Sequence, residues 1–313
     1  MGQYKILVAD GLTEEGLSLL RGAGEVANRP KITPSELLEV LPEYHALVVR
    51  SRTNVTQEVI GAGRQLKVIG RAGVGVDNID LKAAASSGIM VVNSPMAATN
   101  AVAEHTLGLM LALARQIPQA DASMKRQKWE KASFLGGELC GKTLGLIGMG
   151  RIGTQVATLA KAFGMIVRAY DPFVSEAAIR DHGVIPDTFL QVLATADYVS
   201  LHLPLSETTR GLIGADQFSI MKKGARLVCT ARGGVVDETA LRAALDTGDL
   251  AGAALDVFAS EPPPPGSVAE HPKMIATPHI GAQTVEAQKR AGIDIAEEIV
   301  AVLQGRQPRW LVS

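Results

Sequence analysis

Residues Thr143–Asp171 read TLGLIGMGRIGTQVATLAKAFGMIVRAYD, and the fold depends on how this stretch is parsed. The apolar run Leu144 to Ile147 enters a turn carrying Gly148, Gly150 and Gly153, after which Ile152, Val156, Leu159, Ala160 and Phe163 recur at helical spacing. A second apolar run, Ile166 to Tyr170, ends in Asp171, 18 residues past Gly153. Strand, glycine turn, helix, strand and acid at that separation form a dinucleotide-binding unit. Gly148 allows the tight turn, Gly150 lets the backbone approach a pyrophosphate, and Gly153 lets the helix pack closely. The helix start faces the phosphates with free N–H groups and the positive end of its dipole. Asp171 can accept hydrogen bonds from an adenosine ribose, and its charge repels a 2′-phosphate. Pro172, Phe173 and Val174 supply no cation to hold that phosphate, so the expected cofactor is NAD.

The composition sets outer bounds. A chain of 313 residues predicts two domains. A hydrophobic share of 47%, a charged share of 20% and a net charge of −1 describe an ordinary globular protein, with no electrostatic reason to bind nucleic acid or an anionic membrane. The two cysteines, Cys140 and Cys229, make neither a disulfide framework nor a metal pair. No metal site is expected. Leu107 to Ala114 is too short to span a bilayer, and Met1 to Asp10 lacks the regions of a signal peptide. A cytoplasmic protein is expected.

On the N-terminal side, Lys5–Ala9, Ala46–Val49, Leu66–Ile69 and Ile89–Val92 read as strands separated by helices, an alternating β/α layout with a mostly parallel sheet. The Thr33-Pro34-Ser35-Glu36 start combines a capping box with proline at the first helical position. Thr99–Arg115 reads as a long helix, apolar enough to lie buried, between domains or subunits. Gln116–Gly141 reads as a polar, irregular arm with Trp129 and Phe134 as apolar anchors. It would pack on a partner chain or on its own.

After the glycine unit, Tyr198–Leu201, Leu227–Thr230, Ala251–Val257 and Met274–Ala276 complete six strands of a doubly wound sheet. Thr284–Leu303 is the closing helix, expected to return to the N-terminal domain. The fold class is therefore α/β: a Rossmann-type NAD-binding domain over 96–282 and a flavodoxin-like substrate-binding lid over 1–95 and 283–313. The crossings Ser94–Ala98 and Gly281–Thr284 are the expected hinge.

In open α/β sheets ligands bind outside the carboxyl ends of strands. Those ends carry Gly148 to Gly153, Asp171, then His202, Leu203 and Pro204, then Thr230, Ala231 and Arg232, then Asp256, and His279 with Gly281 and Ala282. Among them are the groups a 2-hydroxy acid oxidation needs. His279, in TPHIGA, can move a proton near neutral pH. Glu261, before four prolines, would orient that ring if the two meet. Arg232, in a glycine-flanked turn, can clamp a carboxylate in two-pronged fashion. Each also has a purely structural reading: a satisfied histidine, a solvated acid, a surface ion pair.

GMGRIG with Asp171, then HLPL, ARGGVVDE, ALDVF, EPP and PHIGA, resemble the D-isomer-specific 2-hydroxyacid dehydrogenase family, from about Lys5 to about Leu303. The resemblance implies that His279 is the proton donor and acceptor, Glu261 its partner and Arg232 the substrate-binding cation. It also implies that Asp256 and the backbone at Thr230 and Ala231 meet the nicotinamide carboxamide, and that Arg151 and Ile152 face the pyrophosphate. Val74 and Gly75 would offer N–H groups to the substrate carboxylate, the substrate lying between the domains.

Within the family, VVRSRT, GRAGVGVDNID, ARQIPQA and KWE resemble members acting on a phosphorylated hydroxy acid. Arg50, Ser51, Arg52 and Arg71 are then candidates for the phosphate side. Three positions depart from the common family pattern: Ala98 and Cys229 where Asn is usual, and Lys131 where Arg is usual. Homodimers are implied, and no C-terminal regulatory domain is expected beyond Ser313. Two rivals stay open, a reductase of hydroxypyruvate or glyoxylate and a sensor that binds NAD without turnover.

Overall fold

A computed structural model describes residues 4–313, so the first three residues of the expected lid segment lie outside the described residues. Among the described residues the chain divides into two compact units, one of residues 1–98 with 282–313 and the other of residues 99–281.

The first unit begins β1 (Tyr4–Val8), α1 (Glu14–Arg21), β2 (Gly24–Asn28), α2 (Pro34–Val40) and β3 (Ala46–Val49). It continues α3 (Gln57–Ala62), β4 (Val68–Arg71), α4 (Leu81–Ser86) and β5 (Met90–Asn93). All strand pairs are parallel, in the order β2-β1-β3-β4-β5, which is the flavodoxin-like order. Parallel strands covered on both faces read as unbroken apolar runs, and β3 is buried throughout. The expected capping box is present: Thr33 Oγ1 accepts from Glu36 N and the Glu36 carboxylate accepts from Thr33 N. Strand β2 is not among the expected strands; as an edge strand it carries polar residues that a central strand could not.

The second unit holds α5 (Thr99–Arg115), α6 (Ile117–Lys125), β6 (Thr143–Ile147), α7 (Arg151–Ala162), β7 (Ile166–Tyr170) and α8 (Glu176–Asp181). Then come β8 (Ile185–Pro186), α9 (Phe189–Thr195), β9 (Tyr198–Leu201), α10 (Ala215–Ile220), β10 (Ala225–Cys229), α11 (Glu238–Thr247), β11 (Leu250–Leu255) and β12 (Met274–Ala276). The sheet has seven strands in the order β12-β11-β10-β9-β6-β7-β8. The chain turns back at β6, which pairs with both β7 and β9, so the strand order reverses beside the glycine turn. That is the point at which open α/β sheets take ligands. The seventh strand, β8, is a two-residue edge beyond the six expected.

Helix α5 buries Val102, Thr106, Leu109, Met110 and Leu113 and packs on α7, β10 and β11 of its own unit. Two expectations need correction here. The stretch 116–141 is not wholly irregular, since it contains α6 and a short 3-10 turn at Lys131–Phe134. Trp129 is not a buried anchor within this chain, being 81% exposed.

The last helix, α12 (Val285–Leu303), packs on α1, β4 and β5 of the first unit. Two glycine contacts show how close the approach is: a Cβ on Gly16 would lie 2.5 Å from the Gly292 carbonyl oxygen, and one on Gly70 2.8 Å from Ile299 Cδ1. The expected boundaries fell at 95/96 and 282/283, whereas the units divide at 98/99 and 281/282. Residues 94–98 go with α12 because Ser94 Oγ donates to the Ala291 carbonyl and Arg290 Nε donates to the Ala97 carbonyl. Beyond α12 the chain pairs with β5, Val312 N donating to Val91 O at 2.7 Å. The buried Glu298 carboxylate holds this tail by accepting from Arg309 and from Trp310 N.

Candidate active site

Gly148 ends β6 in the left-handed region at φ 101°, and a Cβ there would lie 2.2 Å from the His202 carbonyl oxygen. Only glycine lets the two strand ends meet so closely. Gly153 stands on α7 where a Cβ would lie 2.1 Å from the Gly148 oxygen. Gly150 differs: nothing lies within 4 Å of where its Cβ would be. Two glycines therefore close the turn, and the third leaves a slot beside a backbone whose next residues, Arg151 and Ile152, open a 12-residue helix. First-turn N–H groups have no partner inside a helix, so the slot suits a phosphate. The Asp171 carboxylate follows β7, accepting from Met149 N and Phe173 N, both at 2.8 Å. Its remaining lone pairs can serve ribose hydroxyls. These residues fit a dinucleotide.

Beside the turn, His202 Nε2 lies 2.9 Å from Ser200 Oγ, and burial pushes its imidazole down to about 4. The ring is neutral at physiological pH. It precedes Leu203, half-buried, and Pro204, exposed, after β9. Thr230 is buried, its Oγ1 2.9 Å from Thr106 Oγ1 on α5. Cys229 is buried beneath it, and loss of solvent raises its thiol to about 11.

The three candidate catalytic residues follow β10, β11 and β12. His279 Nδ1 lies 2.8 Å from Glu261 Oε2, with both side chains nearly half exposed. Glu261 Oε1 accepts from Phe258 N at 3.1 Å, which holds the carboxylate in its own loop. A ring nitrogen facing a carboxylate carries a hydrogen, so Nδ1 donates and a neutral ring presents the Nε2 lone pair. Arg232 occupies the turn after β10, and its Nη1 donates to the Ala231 carbonyl at 2.7 Å. Next to it, a Cβ on Gly233 would lie 1.8 Å from the Phe258 oxygen. The arginine turn is therefore locked against the loop that carries Glu261.

Asp256, 1% exposed, sits under His279 and ties the site together. Its carboxylate accepts from Thr277 Oγ1 at 2.6 Å, Ile280 N at 2.9 Å and Gly281 N at 2.8 Å, and its carbonyl accepts from His279 N at 2.9 Å. Burial works against the charged form, but the bonds from His105, Thr277, Ile280 and Gly281 outweigh it and hold Asp256 below the usual carboxylate range. This anchoring was not expected from sequence, where Asp256 carried only a cofactor role.

In the other unit, the Arg50–Asn54 loop after β3 is organised by two residues that sequence reading missed. The Asp10 carboxylate accepts from Arg50 N, Thr53 N and Thr53 Oγ1. Asn78 Nδ2 donates to the carbonyls of Arg50 and Thr53. Arg52 donates to the carbonyls of Ile32 and Ala9 and pairs with Asp10 at 3.0 Å, its side chain still half exposed. Ser51 is exposed in this loop and Arg50 is partly buried. Arg71 ends β4 with its guanidinium folded over Gly73, into the space a Cβ there would take. Val74 and Gly75 follow in a loop held by Asn93, whose Nδ2 donates to the Val74 carbonyl at 2.6 Å. Asp10 and Asn93 stand at strand ends, so the rule that found His279 would have found them if applied to this sheet.

Residues 107–281 match the family described as "D-isomer specific 2-hydroxyacid dehydrogenase, NAD binding domain". The chain belongs to the D-isomer specific 2-hydroxyacid dehydrogenase family. The matched part of this family member falls within the unit that holds the glycine turn, Asp171, Arg232, Glu261 and His279. A D-3-phosphoglycerate dehydrogenase of Methanocaldococcus jannaschii is 51% identical over 99% of this chain and 59% of its own length. The chain thus spans about three-fifths of that relative. The TT0316 protein of Thermus thermophilus superposes with a TM-score of 0.90 at 38% identity, covering 99% of this chain and 100% of that one. A glyoxylate reductase of Paecilomyes thermophila gives 0.90 at 29% identity, covering 100% and 99%. Among the described residues no helix is long and apolar enough to cross a membrane, and no cluster of His, Cys, Asp and Glu could hold a metal ion.

Proposed function

We propose that this family member oxidises D-3-phosphoglycerate to 3-phosphohydroxypyruvate with NAD, the reaction that opens serine biosynthesis. The observation that carries the reaction class is the His279–Glu261 pair, 2.8 Å apart on a loop locked to the Arg232 turn. Gly148, Gly150, Arg151, Ile152, Gly153 and Asp171 would hold the dinucleotide, with His202, Leu203, Pro204, Thr230, Ala231, Asp256, Gly281 and Ala282 on the nicotinamide side. NAD, when bound, accepts the hydride from the substrate carbon. His279 Nε2 takes the hydroxyl proton, and the Glu261 carboxylate stabilises the imidazolium that forms. In reduction the same proton returns. Arg232 clamps the substrate carboxylate, and the amides of Val74 and Gly75 are further donors to it.

The phosphate-side reading gives Arg50, Ser51, Arg52 and Arg71 the distal charge, supported by the 51% identity to the phosphoglycerate dehydrogenase. Arg52 is already engaged by three oxygens, so Arg50 is the better probe. Arg50→Ala should lower kcat/KM for 3-phosphohydroxypyruvate about 10- to 100-fold, the cost of a lost charge-assisted contact, while hydroxypyruvate reduction changes little. Equal losses on both would favour the second reading, a hydroxypyruvate or glyoxylate reductase, which the likeness to the glyoxylate reductase supports. NADH binding without turnover of any 2-keto acid would indicate a sensor.

A cytoplasmic homodimer completes the proposal. Trp129 and Leu135, 81% and 90% exposed, give the 116–141 arm apolar side chains to place on a second copy. A monomeric mass by light scattering would contradict it.

A further inference from the structure

His279 adopts φ 52°, a left-handed backbone that costs a non-glycine residue free energy and must be held by its surroundings. The holding group is Asp256, which gathers three successive amides: His279 N on its carbonyl, Ile280 N and Gly281 N on its carboxylate. A carboxylate so deeply buried needs its own orientation fixed. Thr277 does part of this, donating its single hydroxyl hydrogen to Asp256 Oδ1 at 2.6 Å. The rest comes from α5. His105 Nε2 lies 3.2 Å from Thr277 Oγ1 and 3.4 Å from Asp256 Oδ1. The Thr277 hydrogen is already committed to Asp256, and a carboxylate can only accept, so Nε2 carries a hydrogen and donates to both. The ring also backs the turn, since a Cβ on Gly281 would lie 3.8 Å from His105 Cδ2 and 3.0 Å from Asp256 Oδ2.

We propose that His105 is a positioning residue for the reaction: through Thr277 and Asp256 it fixes the turn that presents His279 to Glu261. The proposal rests on the reading of His279 as the acid/base. His105 stands on a helix, anchored by buried residues on both sides of it in sequence, Val102 and Thr106 among them. The donor is thus delivered from a packed element to a loop, which is how a reactive side chain is kept within the narrow geometry that proton transfer requires. Nothing in the role requires His105 to touch substrate.

Two variants and two measurements test it. His105→Leu removes the donor and His105→Gln keeps an N–H at nearly the same reach. Hydrogen exchange of the full chain, read over residues 277–283, should quicken about tenfold in His105→Leu, as loss of a hydrogen bond to a charged group predicts. It should stay near wild type in His105→Gln and over β6 and β7 in both variants. In parallel, kcat should fall about 10- to 100-fold in His105→Leu, the scale of a misplaced catalytic group. KM for NADH should rise by less than kcat falls, and His105→Gln should restore most of the rate. Unchanged exchange at 277–283, exchange quickened across the whole sheet, or a normal kcat despite quickened exchange would each overturn the role. A wild-type protein without turnover would instead overturn the acid/base reading, and the exchange result would then decide the anchoring alone.

Discussion

The carboxylate of Asp171 accepts the amide N–H of Met149 at 2.8 Å, so the acid that ends β7 also holds the glycine turn that follows β6. One side chain therefore serves both the proposed ribose contact and the shape of the glycine turn. Removing it should do more than relax cofactor choice.

Asp171→Ala should raise KM for NAD about 10- to 100-fold, because contacts to a charged acceptor are lost at two places. The preference for NAD over NADP should narrow at the same time, since the repelling charge is gone. Steady-state kinetics with both cofactors measures this. An unchanged KM for NAD would mean that the acid does not face the ribose.

The glycines separate into two kinds, and substitution should divide them. Gly153→Ala places a Cβ 2.1 Å from a carbonyl oxygen and should cost about 1–3 kcal/mol of stability. Gly150→Ala meets nothing within 4 Å at a permitted φ of −70°, so its melting temperature should match wild type while NADH affinity drops. Calorimetry with NADH fluorescence titration distinguishes the two. Full NADH affinity in Gly150→Ala would leave the slot without its ligand.

Stability should depend on pH through His202. Burial pushes its imidazole down to about 4, against about 6.5 in an unfolded chain. Between those values the unfolded chain binds the extra proton, so stability is full above the window and is lost as pH falls through it. The loss is at most about 3 kcal/mol. The depressed carboxyl of Asp256 acts in the same direction at lower pH. Urea midpoints should decline less steeply between about pH 6.5 and about pH 4.5 in His202→Gln than in wild type. Identical slopes would remove His202 as the cause.

Much of the fold was legible because burial on both faces writes parallel strands as continuous apolar runs, as in β3, β6 and β9. What escaped was written by exposure. Strand β2 includes Gly24, Glu25 and Asn28, and β8 is two residues long; edge strands need no apolar pattern. Helix α6 has polar residues around most of its surface and buries only Ser123. At the site, the reactive groups and the supports Asp10 and Asp256 all stand at strand ends, but what those supports hold could not be read from the sequence. Asp256 acts through amides of residues 279–281, and Asp10 through amides and a hydroxyl of residues 50 and 53. Contacts made to backbone leave no mark on the residue contacted. The pairing of His279 with Glu261 likewise depends on a loop conformation that spacing alone does not determine.

The most direct test of the proposed chemistry is NADH oxidation by the wild-type chain and by His279→Ala with 3-phosphohydroxypyruvate, hydroxypyruvate, glyoxylate and pyruvate, alongside NADH affinity. Wild type should turn over 3-phosphohydroxypyruvate with the highest kcat/KM. His279→Ala should lose about 10²- to 10⁴-fold in kcat, the share of general acid/base catalysis, while binding NADH as before. Near-normal turnover in His279→Ala, or no preference for the phosphorylated acid in wild type, would contradict the account.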